Sequence, residues 1–594
     1  VIRSRLTPRR IVGLCLLVAV FGTSDGAAAA GVSPLASPGP LRLLDNTQGV
    51  SLSEVLIDLQ GSTGDPQRDA SLGEQARDLV GMGAGERFNE LIADSAMLRI
   101  RRISGVRSAT YRLQARINPD TVALVVTVKL ETGEAAVAEP SGVFPERAIA
   151  PFPVLYRSDR SLVRVILNGG SGVFTDGNPW FGNPATFTRG NPLVQDPAVG
   201  AGTRGRATWI ENYAEYGLGG SMQVGDSPYY LYGAATALTA MSAGRDIFRD
   251  DTRWTTNIED LYAGLLYVSP RTGMKGNMSI GRQNFTLNDG FLISQYGSQY
   301  NAGPRPGVYL APRTAHDFAA LGQATIGRWT LQGFYLDPNE YEPIESNTRV
   351  AGTNLRYTVT PQFYGDATLI QVPQSATRYL VPDGPPLGRA GLTTLAAHLR
   401  WSDRRHLSGV WTETEVAHQT NEHFPMSAWA GYGTLGYLAS AWPWNPSLSY
   451  RYAYFSGDDP RSSRYERFDP LFSGGLSEWL QGISLAKALS QGNRASHRVR
   501  FNVSPMAGVD LTLDYFLHFA DEFNNRGGNP ALSQLSSKDL GHELQLVARW
   551  SISRNLYFLG VAASAWPGAA VRQATPDGAA KPWSSFQAQV FWNF

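Results

Sequence analysis

The chain has 594 residues, of which 17% are charged and 11% aromatic, and its formal net charge is +1. Charge this far below the ~25% of an ordinary globular domain, balanced between signs, excludes the broad positive field that nucleic-acid binding draws on. Beyond residue 30 no stretch approaches the ~20 continuous apolar residues of a membrane helix, so a membrane crossing would fall to strands, where alternation dilutes the apolar residues; a secreted all-β protein has a similar composition.

Taken in order, the first thirty residues have the pattern of a secretion signal. Arg3, Arg5, Arg9 and Arg10 form a basic start, Ile11 to Phe21 an apolar core too short to span, and Ala28-x-Ala30 a small-residue cleavage site. Cys15, the one cysteine, lies inside this segment, so the mature chain has no disulfide, no thiolate nucleophile and no cysteine metal site. Cleavage would remove four arginines and Asp25, taking the net charge from +1 to −2. Residues 31–47, rich in Pro, Ala, Gly and Ser, are expected to be a flexible linker.

Residues 48–132 differ in style. Val55 to Leu59 predict a short strand and Asp69 to Val80 a helix. A second helix opens near Glu86 and carries Leu91, Ile92, Ala96, Ile100 and Ile103 on one face, with Gly105 beyond its end. Two strands, Ala109–Ile117 and Val122–Val128, flank the turn Asn118-Pro119-Asp120. This β-α-α-β-β order, with Gly85-x-x-Phe88 opening the second helix and Ile103-x-Gly105-Val106 before the second strand, resembles a POTRA domain, the periplasmic module of outer-membrane assembly and secretion barrels. The resemblance implies no catalysis. It implies sheet edges that take an extended partner segment by β-augmentation.

Residues 133–160, punctuated by Pro140, Pro145, Pro151 and Pro153, read as a connector. From 161 to 594 one theme repeats. Segments of about 9 to 14 residues with alternating polarity and aromatic ends alternate with short turns and long polar loops, as tilted membrane strands do. They run from Arg206–Gly219 and Tyr229–Met241, through Leu392–Trp401, Ser447–Ser456, Glu478–Ala488 and Arg498–Ser504, to Ser584–Phe594. With Leu162–Leu167 the tally is one too many for an even number, and about 18 strands are expected. In the last segment Phe586, Ala588, Val590, Trp592 and Phe594 share one face; a terminal Phe closing such a strand resembles the end signal of bacterial outer-membrane barrels. The expected fold is an all-β transmembrane barrel of about 18 antiparallel strands behind a small N-terminal α+β domain, placed in the Gram-negative outer membrane with that domain in the periplasm.

Three stretches resemble the alginate-export family: Gly281-Arg282-Gln283-Asn284-Phe285 with Asn288-Asp289-Gly290-Phe291; Tyr452-Ala453-Tyr454-Phe455-Ser456-Gly457-Asp458-Asp459 with Phe468-Asp469-Pro470-Leu471-Phe472; and Leu511-Thr512-Leu513-Asp514-Tyr515 with Glu543-Leu544. The resemblance implies an 18-stranded barrel with an electropositive lumen through which a polyanionic exopolysaccharide leaves the cell. It implies a lipid bilayer as surroundings and, through the N-terminal domain, a periplasmic or inner-membrane polymer-synthesis protein as partner. A POTRA-like domain departs from the simple alginate exporter.

Alternation predicts which charges face inward. By this rule Arg356, His398, Arg400, Arg451, Arg498, Arg500, Asp514 and Arg549 line the lumen, since an ionised group at the lipid midplane costs ~2–4 kcal/mol. Arg282 falls on the other face by simple alternation, which points to a bulge or a strand end, and it is counted with the lumen residues of the substrate path. Asp289, Asp458 and Asp459 belong to loop motifs. A ladder of arginines would offer repeated bidentate contacts to a sliding polyanion; the same residues paired with Asp510, Asp514 and Glu543 would brace the wall instead. The eight histidines show no metal-ligand spacing, Glu413 and Glu415 lack a catalytic partner, and neither a nucleophile site nor a cofactor motif is evident. Export of an anionic exopolysaccharide is the leading expectation. A POTRA-bearing protein-secretion barrel and a general anion-selective porin remain open beside it, though Arg189-Gly190 and Arg526-Gly527 lack the aromatic of the secretion barrels' lumen motif.

Overall fold

The computed structural model describes residues 51–115, 121–131, 153–179, 206–248, 250–269, 273–294, 302–381, 384–403, 409–473, 479, 481–529, 532–553, 555–574 and 581–594, all within one compact unit, Gly39–Phe594. The expected secretion signal, the linker and most of the connector lie outside the described residues.

The small domain folds in the expected order: β1 (Ser51–Gln60), α1 (Pro66–Asp78), α2 (Glu90–Arg101), β2 (Val106–Ala115) and β3 (Thr121–Leu130). Asp65 caps α1 by accepting the Gln67 and Arg68 N–H groups, and Asn89 caps α2 through the Ile92 N–H. The sheet order is β1-β3-β2, with β3 parallel to β1 and antiparallel to β2. A central strand covered on both faces needs apolar residues without alternation, and Val122 through Val126, with Val128, are buried in succession.

Helix α2 is buried nearly all round. Its expected face (Leu91, Ile92, Ala96, Ile100) meets the domain core and the wall, but Ser95 and Arg99 are buried too. The domain core continues without a break into the barrel residues Tyr230, Tyr232, Leu266 and Val268, and Leu91 packs with Ile166 and Ala234. Arg99 donates to the Leu79 carbonyl (2.9 Å) and lies 4.7 Å over the Tyr230 ring. The domain is therefore seated at the barrel end where the turns are short.

The barrel closes with 18 strands in sequence order, the last, Trp583–Asn593, pairing with the first, Ser161–Gly177. The short strand Val154–Arg157 adds to the margin of the first. Turns at one end are tight, as at Gly327–Arg328 and Pro361–Gln362, and the long connections 284–315, 456–493 and 520–538 gather at the other. Alternating outward residues expose an apolar belt, including Leu331, Leu355, Leu395, Leu435, Leu448, Phe501 and Leu546, rimmed by Trp254, Trp329, Trp401, Trp442 and Trp550. That is the belt and girdle of a lipid-facing wall. Among the described residues no helix is long and apolar enough to cross a membrane.

Two expectations change. Leu162–Leu167 is the start of a 17-residue strand. The described residues of Glu478–Ala488 form no strand: Gln481 and Gly482 take positive φ of 51° and 101°, and the chain turns through a 3-10 segment at Leu485–Lys487. Its alternation mimics a membrane strand because Trp479 and Leu485 also bury one side, against protein instead of lipid.

Candidate transport lumen

Strand register gathers the inward charges into a row. Tyr364 pairs across with Arg400, Arg400 with Glu413, Glu413 with Thr434, Thr434 with Arg451 and Arg451 with Arg498. One step along, Arg356 faces Asp366 and Asp366 faces His398. Arg356 Nε donates to Asp366 Oδ1 (2.7 Å), and His398 lies between Asp366 (Nδ1–Oδ2, 2.9 Å) and Glu413 (Nε2–Oε1, 3.1 Å). Arg500 binds Asp514 through two parallel contacts of 2.7 and 3.0 Å. Arg549 is half-buried and reaches Thr512 Oγ1 at 3.4 Å. These pairs brace the wall.

The strand pair Ser447–Phe455 and Arg494–Met506 is different in character. Arg451 and Arg498 sit directly opposite each other, both 3% exposed, and Arg494 and Arg500 lie on the same face of the same strand. Like charges placed opposite each other across strands are destabilising, and here four guanidiniums share two neighbouring strands. Arg451 donates to Thr434 Oγ1 (3.0 Å) and lies 4.5 Å over the Trp479 ring, a cation–π contact with an in-folded loop.

Three wall carboxylates hold the in-folded loops by their backbone. Glu211 accepts the N–H groups of Val308 (2.7 Å), Tyr309 and Leu310 (2.8 Å). Glu259 accepts those of Thr314 and Ala315 at 2.6 and 2.9 Å. Glu543 accepts those of Ile483 (2.7 Å), Ser484 and Leu485 (2.9 Å). The sequence marks Glu543 as inward but does not reveal its partner sixty residues away in the chain; Glu211 and Glu259 carry no comparable mark. Glu259 lies beside a bulge that breaks the alternation between Ile258 and Leu261.

The loop that starts after Gln283 descends far enough to meet the small domain. Asn288 Oδ1 accepts from Arg356 Nη2 (3.0 Å), and the Asn288 carbonyl accepts from Arg87 Nη2 (2.6 Å). Arg356 Nη1 also reaches the Ala84 carbonyl at 3.4 Å. Burial lowers the Arg87 pKa to about 10 and raises that of Glu86 beside it. On the rim, Arg164 of the first strand binds Glu90 (2.6 Å) and Asp94 (3.2 Å) of α2, and Arg102 donates to Gln223. Domain and loop thus meet inside the lumen at Arg356.

Arg282 lies at its strand's end on the outward register and pairs with Asp317, beside a bulge between His316 and Ala319 in the next strand. Asp289 accepts from the Tyr432 hydroxyl (2.7 Å) and caps the Phe291 N–H (3.1 Å), so it fixes the descending loop. Asp458 ties the Glu466 N–H (3.1 Å) to Asn524 (3.0 Å), joining two long loops, while the Asp459 carboxylate binds Arg461 two residues on. Tyr454 and the Gly457 N–H both bind Asp521 at 2.8 and 2.9 Å. The Tyr-x-Tyr-x-Ser-Gly-Asp stretch is therefore a clasp between loops. Among the described residues no cluster of His, Cys, Asp and Glu suits a metal ion.

The alginate export family matches residues 233–584. No curated protein matches the chain. Among solved structures it is similar to OccK5 (OpdH) of Pseudomonas aeruginosa, at 10% identity over 73% of this chain and 98% of that one, TM-score 0.44. OprD of the same organism gives 8% identity over 73% and 93%, TM-score 0.43, and OccAB4 of Acinetobacter baumannii 9% over 73% and 98%, TM-score 0.42.

Proposed function

The chain belongs to the alginate export family of outer-membrane β-barrels, and from that premise we propose that it exports a polyanionic exopolysaccharide through its arginine-bearing lumen. The observation that carries this reading is the cross-strand pair Arg451–Arg498 flanked by Arg494 and Arg500. A barrel gains no stability from guanidiniums placed face to face; a chain of carboxylates sliding past would offset that repulsion, with Arg500 held in place beside them by Asp514. The small domain, POTRA-like in its β-α-α-β-β order, serves as the docking module for a periplasmic or inner-membrane polymer-synthesis protein. Its seat in the mouth and the descending loop at Arg356 make this the closed form, so docking has to shift the domain before polymer enters.

Single-channel conductance in planar bilayers tests the reading. Anion selectivity with reversible block by polyuronate is expected, and both weaken in the double variant Arg451→Gln, Arg498→Gln. A cation-selective pore, or one indifferent to the polyanion, overturns it.

A further inference from the structure

The outer wall is not apolar all round. On the adjacent strands Ser161–Gly177, Arg206–Gln223, Tyr229–Arg245 and Arg253–Ser269, outward positions carry hydroxyls and an amide. Ser171 Oγ donates to Asn212 Oδ1 at 2.5 Å, the Thr175 and Thr208 hydroxyls hydrogen-bond at 3.2 Å, and those of Thr239 and Thr256 at 2.9 Å. The opposite wall presents Leu395, Leu435, Leu448 and Phe501 at such positions.

Strand register gives the depth of the polar face. Trp254, at the long-loop end, pairs across with Met241, Met241 with Asn212, and Asn212 with Ser171. The line continues from Ser171 to Val590, Phe558 and finally Trp550, beside a tight turn. Asn212 and Ser171 are the third and fourth of these seven outward residues, so they lie near the middle of the belt. Lipid offers only hydrocarbon there. Ser171 takes Asn212 Oδ1, and among the described residues nothing accepts from Asn212 Nδ2. An amide donor facing hydrocarbon without an acceptor is costly.

We propose that this face is a self-association surface, on which a second copy of the chain packs wall to wall in the bilayer. The six polar side chains are uncharged, and each both donates and accepts. The face is therefore electrostatically complementary to its own copy turned about a two-fold axis, and the Asn212 amide of each copy finds an oxygen on the other. Between walls in lipid, close packing and hydrogen bonds drive association, not apolar burial; Ala214 and Ala243 beside the polar groups allow that approach. Four strands ~4.8 Å apart across a belt ~25 Å tall make a patch of about 500 Å². Two copies together cover roughly the ~1,000 Å² at which specific interfaces begin. The small domain seats on the inner side of these same strands, so pairing brings two domains side by side.

Disulfide trapping in isolated outer membranes tests this, since the one cysteine of the chain, Cys15, lies in the expected secretion signal. Ser171→Cys, Asn212→Cys and Thr239→Cys, each alone, are oxidised with copper phenanthroline and run on electrophoresis without reductant. At least one should give a dimer band at least tenfold stronger than Leu435→Cys, a lipid-exposed position on the opposite wall. Native mass spectrometry from detergent is the second measurement. The wild-type chain should be mainly dimeric, and the double variant Ser171→Leu, Asn212→Leu should lose at least fivefold of the dimer while keeping its heat-modifiable band. Equal trapping on both walls, trapping at none of the three positions, or a leucine variant as dimeric as the wild type overturns the proposal. A wild-type monomer that retains outer-leaflet lipid overturns it too and makes lipid the occupant of the face.

Discussion

Asp94 on α2 shares Arg164 of the barrel wall with Glu90, and its Oδ1 accepts from the Tyr111 hydroxyl at 3.0 Å. Burial, then the neighbouring Glu90 charge, raises its pKa to about 6, against the pull of Arg164. A carboxyl whose folded pKa is raised stabilises the seated domain fully below its unfolded pKa near 4, and that contribution is lost as pH rises through 6. The two-unit shift amounts to about 3 kcal/mol in total, of which about 1.4 kcal/mol falls between pH 5 and 7.5. Asn at this position keeps the acceptor for Tyr111 and removes the charge. Hydrogen exchange of residues 90–101 in the full chain, corrected for intrinsic rates, should show roughly tenfold less protection at pH 7.5 than at pH 5 in the wild type. Asp94→Asn should flatten that profile and raise protection at pH 7.5. A flat wild-type profile, or an Asn variant less protected at pH 7.5, would refute the reasoning.

Three further outcomes follow from the wall. Asp366→Ala deprives both Arg356 and His398 of a buried partner and should cost about 3–5 kcal/mol, seen as a lower temperature for loss of the compact, heat-modifiable band on electrophoresis. Glu543→Ala strands three backbone N–H groups, each costing about 1–3 kcal/mol if left unsatisfied; the Ile483–Leu485 turn should leave the wall and single-channel current should become larger and noisier. Gly85→Ala combines a φ of +77° with a Cβ that runs into the Arg356 guanidinium. It should cost at least ~1–2 kcal/mol and lower exchange protection around residues 81–89, with the barrel's heat stability unchanged.

The wall was legible because a strand has one bit of information per residue, in or out. His398, Arg400, Arg451 and Arg498 occupy the inward parity that the apolar partners Leu395, Trp401, Leu448 and Val499 imply. Parity does not say what lies on the inner side. Trp479 and Leu485 repeat the alternation of a membrane strand while folding into the lumen, and the anchors Glu211 and Glu259 grip segments 97 and 55 residues away in the chain. The seat of the small domain was equally silent. Its marks are Ser95 and Arg99, polar residues set within the apolar face of α2, whose meaning appears only when Tyr230 and the Leu79 carbonyl are placed against Arg99.

Barrel closure has a consequence for how the protein is made. Among the described barrel strands every pair but one joins neighbours in the barrel's chain order, and the exception, Ser584–Asn593 on Asn168–Gly177, spans on the order of four hundred residues. Contacts of that separation form late, because loop-closure entropy is paid before they reward it. Until then the curling sheet carries two open margins of unpaired N–H and C=O groups, templates for pairing with any other chain. The protein therefore cannot mature strand by strand in free solution; its two margins have to be kept covered from synthesis until they meet each other in the bilayer.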